Sequence, residues 1–284
     1  KYLRQERNYQ NIIKMPEGPE VRIVSDFLNK ELKDQIITSF DHCSIPYKLK
    51  YGDLIYELNK FTPLKFEKVF CIGKTSFIKL SEDKYFSYHL GMTGSWSNEK
   101  FKHAHLKIYT NNKKSIYFHD IRRFGNIKLI SKDELDTKYF SKGDFLNFGT
   151  DLSIYTDILY KTINSDIEIC KILLNQRYFC GVGNYLKSEI LYYANIHPHT
   201  KWHALEKNDI YNICKYTKKI IIEAYKKGGA ELRDFKNPDK ESKLKLQSYG
   251  KQHDSKGRKI INDITKDNRR SYWCPDIQKL RSKG

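Results

Sequence analysis

The stretch "RYFCGVGNYLKSEILYYANI", residues 177–196, determines how the second half of the chain folds. Apolar side chains recur at helical spacing from Asn184 onward, so we expect a helix here. Gly181 and Gly183 precede it and allow a tight turn, and Asn184 is a favourable N-cap. Backbone N–H groups at such a helix N-terminus can grip a phosphate, although a plain glycine turn between packed helices is the alternative interpretation.

Helices are predicted on both sides of this turn. "DIEICKILLNQ" (166–176) precedes it, and the helix after it stops at His197-Pro198. "ALEKNDIYNICKYTKKIIIEAYKKGG" (204–229) is a long amphipathic helix with a glycine pair as its C-terminal stop. Apolar and polar side chains alternate enough over residues 249–279 to predict a basic β-hairpin with Lys266-Asp267-Asn268 at its tip.

The first half of the chain has a different pattern. Apolar residues from Glu20 to Leu32 fall on one face of a helix, and Pro19 suits its first turn. From about Ile36 to Ile130, short segments rich in Ile, Phe, Tyr and Val alternate with turn signals, which predicts strands of a β-sandwich or barrel. "GDFLNFGTDLSIYTD" is then a loop-like connection. The predicted fold class is α+β: an N-terminal β-sandwich or barrel-like domain with an N-terminal helix, then a helical domain and a β-hairpin.

The chain has 284 residues, with 52 Lys and Arg against 34 Asp and Glu, and a formal net charge of +18. Such an excess favours a polyanion partner, nucleic acid first and an anionic membrane second, although an AT-rich genome also enriches Lys, Asn, Ile and Tyr. No apolar run approaches a membrane span and the first residues lack a hydrophobic signal core, so we expect a soluble intracellular protein. The 6 cysteines form no Cys-x-x-Cys pair, which argues against a disulfide framework and a cysteine zinc site.

The stretch "MPEGPEV", residues 15–21, carries the first candidate chemistry. At a free N-terminus Pro16 would be a secondary amine, which titrates near a pKa of about 7.7–8.0 and can attack an electrophilic carbon to form an iminium. In that case Glu17 could act as a general acid beside it, with Glu20 close by. The alternative is an ordinary turn that starts a helix, with two carboxylates at the helix N-terminus.

Two further stretches end predicted strands with a glycine and a bulky side chain. They are "YHLGMTG" (88–94) and "HDIRRFG" (119–125). Met92, Arg122 and Phe124 could form a wedge that fills the gap left by an extruded nucleotide, since flipping costs roughly a few kcal/mol of stacking and pairing. Alternatively, the apolar members belong to the core and the neighbouring arginines are solvated.

Taken in order, these motifs resemble the formamidopyrimidine-DNA glycosylase and endonuclease VIII family of base-excision repair enzymes. "PEGPE", "IGK", "HLGMTG", "IRRFG", "CGVGNYLKSE" and "GGAELRDF" recur in family members, and the resemblance runs from Pro16 to about Lys279. "PEGPE" looks like the endonuclease VIII form of the N-terminal motif. The resemblance implies a catalytic β-sandwich domain over 15–150, a helix–two-turn–helix domain over 151–245 and a terminal hairpin over 246–284.

The resemblance also implies a role for each candidate site residue. Pro16 would be the nucleophile that attacks C1′ of the damaged nucleoside, Glu17 the acid that assists sugar-ring opening, and Glu20 a supporting carboxylate. Lys74, grouped with these catalytic residues, would hold phosphates around the flipped lesion. The expected DNA-binding residues are His89, Met92, Arg122, Arg123, Phe124, Asn184 and Arg269. Since the amine of Pro16 must begin the mature chain, residues 1–14 are expected to be upstream read-through or an artefact.

The terminal hairpin departs from the zinc finger of many family members, which has two Cys-x-x-Cys pairs. Here His253 and Lys256 stand where the first pair would fall, and Cys274 has Ile277 at its partner position. One thiolate and one imidazole cannot complete a tetrahedral zinc site, so we expect no metal and no cofactor. The hairpin resembles the family's zincless-finger branch, held by packing. The expected packing residues are Ile260, Ile264, Tyr272 and Trp273.

The resulting hypothesis is a bifunctional glycosylase and abasic-site lyase that flips out an oxidised base, removes it through a Schiff base on Pro16 and cleaves the strand by β,δ-elimination. Oxidised pyrimidines are the leading substrates, while "GGAELRDFKNPD" (228–239) resembles the purine-specific lesion loop and keeps formamidopyrimidines and 8-oxoguanine open. The expected partner is damaged double-stranded DNA, with single-stranded or bubble DNA as an alternative. We expect the protein to be a monomer that acts in the nucleus, the cytoplasm or a viral factory, and we expect no membrane partner. The competing hypothesis is a catalytically inactive structural factor that recognises damaged or distorted DNA.

Overall fold

The computed structural model describes residues 15–140, 143–147, 149, 151–163, 165–230, 237–239 and 241–282. The expected upstream segment and half of the expected lesion loop (231–236) lie outside the described residues. The helices and strands of the first half, in chain order, are α1 (Gly18–Leu32), β1 (Ile36–His42), α2 (Ile45–Asn59), β2 (Leu64–Lys65), β3 (Val69–Ile72), β4 (Thr75–Lys79), β5 (Lys84–His89), β6 (Gly94–Ser97), β7 (Ala104–Thr110), β8 (Ser115–Asp120), β9 (Asn126–Ser131) and α3 (Lys132–Leu135), which continues as a π-helical turn (Asp136–Phe140).

Helix α1 begins close to where the sequence predicts. Pro19 occupies its first turn, and the Glu20 carboxylate accepts the Glu17 N–H at 2.8 Å. The predicted members of its apolar face are all buried: Val21, Val24, Phe27, Leu28 and Leu32. Burial of this face holds the helix against the sheets, so the predicted helix is confirmed, with its start at Gly18.

The strands form a β-sandwich. One antiparallel sheet has five strands in the order β2-β1-β7-β8-β6, and the other has four in the order β3-β4-β5-β9. Aromatic rings interlock between the sheets: the ring centroids of Phe40 (β1) and Phe86 (β5) lie 5.6 Å apart, and those of Tyr88 (β5) and Trp96 (β6) lie 5.4 Å apart. The predicted α+β class with an N-terminal β-sandwich is therefore confirmed.

Helix α2 contradicts the sequence prediction, which placed only strands between Ile36 and Ile130. The side chains that this helix buries are Tyr47, Tyr51, Ile55 and Leu58. Their spacing of about three to four residues is helical, and Pro46 occupies the first turn. Aromatic and β-branched residues favour strands in general, but here the burial of one helical face outweighs that preference.

The second half of the chain is helical and ends in a β-hairpin. Its elements are α4 (Leu152–Thr162), α5 (Ile169–Leu173), α6 (Asn184–Ala194), a 3₁₀ turn (Trp202–Ala204), α7 (Lys207–Lys226), β10 (Ile261–Ile264) and β11 (Arg270–Trp273). The predicted loop "GDFLNFGTDLSIYTD" is wrong in its second part, where α4 begins. Asp151 caps this helix by accepting the Ser153 N–H at 2.6 Å, a local signal that the polar composition concealed.

Helices α5 and α6 flank the glycine turn as predicted, and α6 packs against α7. After α6, Asn195 takes a left-handed φ of 55°, which ends the helix shortly before His197-Pro198. Helix α7 is followed by Gly228 and Gly229, both with positive φ, as the predicted stop requires. None of the helices in the described part of the chain has the length and apolar character that a membrane crossing requires.

The hairpin of β10 and β11 packs against α6. Of the expected packing residues, Ile260, Tyr272 and Trp273 are buried. Ile264 is 58% exposed, so its expected packing role is wrong. It pairs with Arg270 at the end of the ladder next to the tip, and both side chains are exposed.

Polar contacts stabilise the hairpin next to His253 and at Cys274. The Asp254 carboxylate accepts hydrogen bonds from Tyr192 Oη at 2.8 Å and from Arg258 Nε at 2.7 Å. Cys274 is buried, and its N–H donates to Gln278 Oε1 at 2.8 Å. Among the described residues, no group of three or more His, Cys, Asp or Glu side chains is arranged to hold a metal ion. A single buried thiol in this setting does not fit a tetrahedral zinc ion.

Candidate active site

The N-terminal motif docks onto the glycine turn between α5 and α6. Pro16 and Glu17 are buried, and the Gly18 N–H donates to the Gly181 carbonyl at 2.9 Å. Gly181 has a left-handed φ of +89°, and a Cβ on Gly18 would lie 3.1 Å from its Cα. Glycine on both sides suits this close approach of two backbones, and it places Pro16 and Glu17 at the start of α6.

The Glu17 carboxylate caps helix α6 from the other half of the chain. It accepts the N–H groups of Gly183 at 2.6 Å, Tyr185 at 2.9 Å and Leu186 at 3.3 Å. The prediction that Asn184 is the N-cap is wrong, because the N-cap is Gly183 and Asn184 is already helical. These N–H groups were expected to bind a phosphate, but here they donate to a carboxylate. The carboxylate supplies the negative charge that a helix N-terminus favours.

The space around Glu17 is closed by glycines. A Cβ on Gly183 would overlap Glu17 Cδ and lie 2.5 Å from Glu17 Oε1. Gly73, in the turn between β3 and β4, has a φ of +57°, and a Cβ there would lie 2.8 Å from the amide nitrogen of Gly181. This turn therefore approaches the site as closely as a backbone can, and it brings the next residue, Lys74, beside Glu17.

Glu20 braces the motif rather than facing the open site. Its Oε2 accepts the Glu17 N–H at 2.8 Å. Its Oε1 accepts the Tyr185 hydroxyl at 2.9 Å and the Ala230 N–H at 2.8 Å. The residue is 0% exposed, so its carboxylate fixes the backbone on which Pro16 and Glu17 stand.

Burial and charge set the protonation of the site. Burial raises the pKa of Glu17 from 4.5 to about 7; Lys74 and the helix N–H groups oppose this rise, and Glu20 adds to it. Burial also raises the pKa of Glu20. The pKa of Lys74 is lowered, first by burial and further by the charge of Arg269, against the pull of Glu17. The site thus combines a carboxyl that titrates near neutrality with two nearby cations.

The three expected wedge residues come together at the surface. The Arg122 guanidinium donates to Met92 Sδ at 3.5 Å and lies 5.8 Å from the centroid of the Phe124 ring. Phe124 is 60% exposed and Arg122 is exposed, so neither belongs to the core. This arrangement excludes the alternative that Phe124 is a core residue. The three side chains form a projection from two neighbouring loops that is partly apolar and partly cationic.

The residue that joins these loops, Asp120, was not predicted from the sequence. Asp120 is 0% exposed, and its carboxylate accepts the Thr93 hydroxyl and, at 2.6 Å, the Gly125 N–H. Thr93 Oγ1 in turn accepts the Arg122 N–H at 3.0 Å. Arg123, with an exposed side chain, takes a left-handed φ of 56° within this turn. The sequence shows only an acidic residue directly before "IRRFG", and its burial is visible only in the structure.

The remaining expected DNA contacts are divided between two places. His89, near Lys74, accepts the Gly91 N–H on Nδ1 at 2.9 Å, and its pKa is lowered by burial and by Lys74. Asn184 donates from Nδ2 to the Arg270 carbonyl at 3.0 Å and so links α6 to the hairpin. Arg269, exposed at the hairpin tip, is close enough to Lys74 to lower its pKa. The site therefore draws on the sandwich, the helices and the hairpin.

Comparisons with known proteins agree with this architecture. The model of the formamidopyrimidine-DNA glycosylase N-terminal domain matches residues 15–127, and that of the formamidopyrimidine-DNA glycosylase H2TH domain matches residues 152–236. The formamidopyrimidine-DNA glycosylase of Rickettsia canadensis is 28% identical over 93% of this chain and 99% of its own length. That of Zymomonas mobilis is 31% identical over 73% of this chain and 79% of its own.

Solved structures show the same likeness. A Lactococcus lactis Fpg in complex with DNA containing an abasic site superposes with a TM-score of 0.78 at 26% identity, covering 93% of this chain and 99% of that one. MutM in complex with DNA containing carbocyclic 8-oxo-G gives a TM-score of 0.78, also at 26% identity, covering 93% of this chain and 100% of that one. The chain is therefore a member of the formamidopyrimidine-DNA glycosylase family, the DNA glycosylases of base excision repair.

Proposed function

We propose that the protein is a bifunctional DNA glycosylase and abasic-site lyase whose nucleophile is the amine of Pro16. The observation that carries this proposal is the Glu17 carboxyl, which is buried next to Pro16, held by the N-terminus of α6 and titrates at about 7. A group with this pKa can give and take a proton at neutral pH. The mechanism requires the Pro16 nitrogen to be a free secondary amine, so the active chain begins at Pro16.

The reaction proceeds in two stages. The Pro16 nitrogen bonds to C1′ of the damaged nucleoside and the base leaves with the electrons of the glycosidic bond, while Glu17 gives a proton to the opening sugar-ring oxygen. The nitrogen loses its proton to water, and its lone pair forms the C=N bond of an iminium as the C1′–O4′ bond breaks and its electrons go to O4′. The iminium acidifies the proton on C2′. Removal of that proton expels the 3′ phosphate, and a second elimination expels the 5′ phosphate. Water then releases Pro16.

The substrate would be damaged double-stranded DNA held by polar and cationic side chains from three parts of the fold. Lys74, His89, Asn184 and Arg269 would contact phosphates around the flipped nucleotide, with Arg123 nearby on the backbone. Met92, Arg122 and Phe124 would fill the gap that the nucleotide leaves, which their surface position supports. The wedge loops and Arg269 all come from one chain, so a monomer suffices.

Oxidised pyrimidines are the leading lesion class, because the N-terminal motif and the zincless hairpin resemble the endonuclease VIII-like branch. Formamidopyrimidines and 8-oxoguanine form the second class, which the structural neighbours favour: they include Lactococcus lactis Fpg with DNA containing Fapy-dG and MutM with DNA containing carbocyclic 8-oxo-G. A panel of duplexes, each with one lesion of either class, decides between them by the relative single-turnover rates. A parallel panel in single-stranded and bubble DNA tests the alternative substrate form.

Borohydride trapping tests the nucleophile. Reduction during turnover should join the protein covalently to DNA through the residue at position 16, as identified by peptide mass analysis. Pro16→Gly should form far less of this adduct while duplex binding persists. Trapping through a lysine, or full trapping by a protein with residues still attached ahead of Pro16, would contradict the proposal. The comparisons give no support to the non-catalytic DNA-binding alternative.

A further inference from the structure

A buried ion pair lies outside the machinery described so far. Lys187 of α6 donates from Nζ to Asp267 Oδ2 at 2.5 Å, and the two side chains are 0% and 4% exposed. Taking both charges out of water is expensive, and an apolar pair of similar size is often at least as stable. Since Lys187 is fully buried, it also cannot touch a phosphate directly. A charge in this position therefore needs a reason beyond stability.

Asp267 organises the tip of the hairpin. Its Oδ1 accepts the Thr265 hydroxyl at 2.6 Å and the Arg269 N–H at 3.1 Å. Between them, Asn268 takes a left-handed φ of 58°. The conformation that presents Arg269 to solvent thus depends on Asp267, and the second oxygen of Asp267 is held only by Lys187 among the hydrogen bonds of the described residues.

The same helix holds the catalytic carboxyl. The first turn of α6 donates to Glu17, and Lys187 lies one turn further along, with its N–H bonded to the Gly183 carbonyl at 2.8 Å. Arg269 is close enough to influence the pKa values of both Lys74 and Lys187. Helix α6 therefore connects Glu17 rigidly to the tip that carries Arg269.

We propose that Lys187 is a positioning residue that holds Arg269, through Asp267, at a fixed place relative to Glu17. The inference rests on the proposed function, because it requires Arg269 to contact a phosphate beside the lesion. The proposal explains why the buried residue at position 187 is charged. A neutral side chain could fill the same space but would not fix the Asp267 carboxylate. The hairpin tip would then be free to present Arg269 in several orientations.

A double-mutant cycle tests this positioning role. The dissociation constant is measured for a duplex containing a tetrahydrofuran abasic analogue, between about 50 and 200 mM salt, for wild type, Lys187→Met, Arg269→Ala and the double variant. Loss of one phosphate contact should reduce the slope of log affinity against log salt by about 0.9. We expect Lys187→Met to lose affinity and slope as Arg269→Ala does, and the double variant to bind no more weakly than Arg269→Ala. Lys187→Arg should restore both quantities.

Two controls separate positioning from general loss of structure. Arg258→Met breaks the Arg258–Asp254 ion pair at the other end of the hairpin, with Asp254 also buried, and should lower the melting temperature without changing the salt slope. If Lys187→Met does not fold, Asp267→Asn removes the same charge pair with less change of shape and should show the same non-additivity with Arg269→Ala.

Three results would overturn the inference. These are additive losses of affinity in the cycle, a Lys187→Met variant with a lower melting temperature and an unchanged salt slope, and an Arg269→Ala variant with unaltered affinity and slope. The last result would show that Arg269 makes no phosphate contact, and it would leave the proposed role of Pro16 untouched. Failure of the proposed catalytic function is recognised separately, by borohydride trapping at a residue other than Pro16.

Discussion

Glu17 Oε2 lies 2.6 Å from the amide nitrogen of Gly183, although 166 residues separate the two along the chain. This hydrogen bond joins the β-sandwich to the helical half at the point where the chemistry is expected. A helix N-terminus carries partial positive charge, so it stabilises the carboxylate that results when Glu17 gives up its proton. The same contact therefore orients the Glu17 carboxyl, the proposed proton source, and stabilises its ionised form.

Replacing Gly183 with Ala should displace Glu17. The added Cβ would overlap Glu17 Cδ, so either the carboxyl or the helix must move. We expect the rate of base removal to fall at least tenfold, with the free energy of unfolding lowered by about 1–3 kcal/mol. Gly52→Ala in α2 is the matched control, because a Cβ there meets nothing within 4 Å. It should raise stability by about 0.5–1 kcal/mol and leave the rate unchanged. Equal rates for the two variants would contradict the prediction.

Glu17→Gln separates base removal from strand cleavage. The amide cannot protonate the sugar-ring oxygen, so single-turnover base removal should slow by roughly 10²–10⁴-fold. Cleavage of a ready-made abasic site should be impaired less, because no base has to be expelled. The two rates are measured on matched duplexes with and without the base. An equal loss on both substrates would count against Glu17 as the acid for this step.

The pH dependence of activity should report Glu17. Burial raises the pKa of Glu17 to about 7 and its reactive form is the protonated one, whereas the Pro16 amine must be unprotonated and titrates near about 7.7–8.0. Base removal should therefore peak between these two values and decline at higher pH. The Glu17→Gln variant, measured over the same range, should lack this alkaline limb. A limb of the same midpoint in both proteins would show that another group titrates.

Stability should follow the same titration with a definite sign. The folded pKa of Glu17 lies above its ordinary value of 4.5, so the stability that Glu17 contributes is complete below pH 4.5 and is lost as pH rises through about 7. Glu17→Gln has no such loss. Its melting temperature relative to wild type should therefore improve between pH 4.5 and pH 7, and parallel curves would contradict the assigned shift.

Thr93→Val should loosen the wedge. Valine keeps the shape but leaves the Asp120 carboxylate and the Arg122 N–H without their shared partner, which costs about 1–3 kcal/mol. We expect weaker flipping, measured by the fluorescence of 2-aminopurine opposite the lesion. Thr110→Val is the matched control: Thr110 is also buried, and its hydroxyl donates to the Lys114 carbonyl at the far end of the sandwich. Flipping should be unchanged in that variant.

Metal chelation should leave the hairpin folded. Asp254, Arg258 and the buried Cys274 hold it without a complete set of zinc donors. We expect the melting temperature and the DNA affinity to stay constant after dialysis against a strong chelator, with less than one zinc ion per chain by elemental analysis. A fall in melting temperature that added zinc reverses would overturn this expectation.

Local patterns sufficed for much of the fold. The apolar spacing after Gly18, the glycine turn at Gly181 and the turn residues before Arg269 each determine structure within a few residues, and sequence reasoning found all three elements. Helix α2 was missed because its aromatic content favours strands in the absence of the sheet against which it packs. The cap of α6 was missed for a different reason, since no local signal reveals a carboxylate supplied by another part of the chain.

The site shows the same division. Pro16, Glu17, Lys74 and Arg269 were predicted from motifs, whereas Asp120 and Lys187 act through buried contacts that only the fold creates. These two lie within the stretches "HDIRRFG" and "CGVGNYLKSE", yet a charged residue in a helix or beside a turn is usually solvated. Burial distinguishes the two cases, and burial at these positions depends on contacts distant in sequence.

The capping of α6 by Glu17 has a consequence during synthesis. Glu17 leaves the ribosome long before Leu186 is translated, and until then the N–H groups that hold its carboxylate do not exist. Under the proposed mechanism, a nascent chain would therefore lack an anchored proton donor. Competence to break DNA would arise only once both halves are translated and docked.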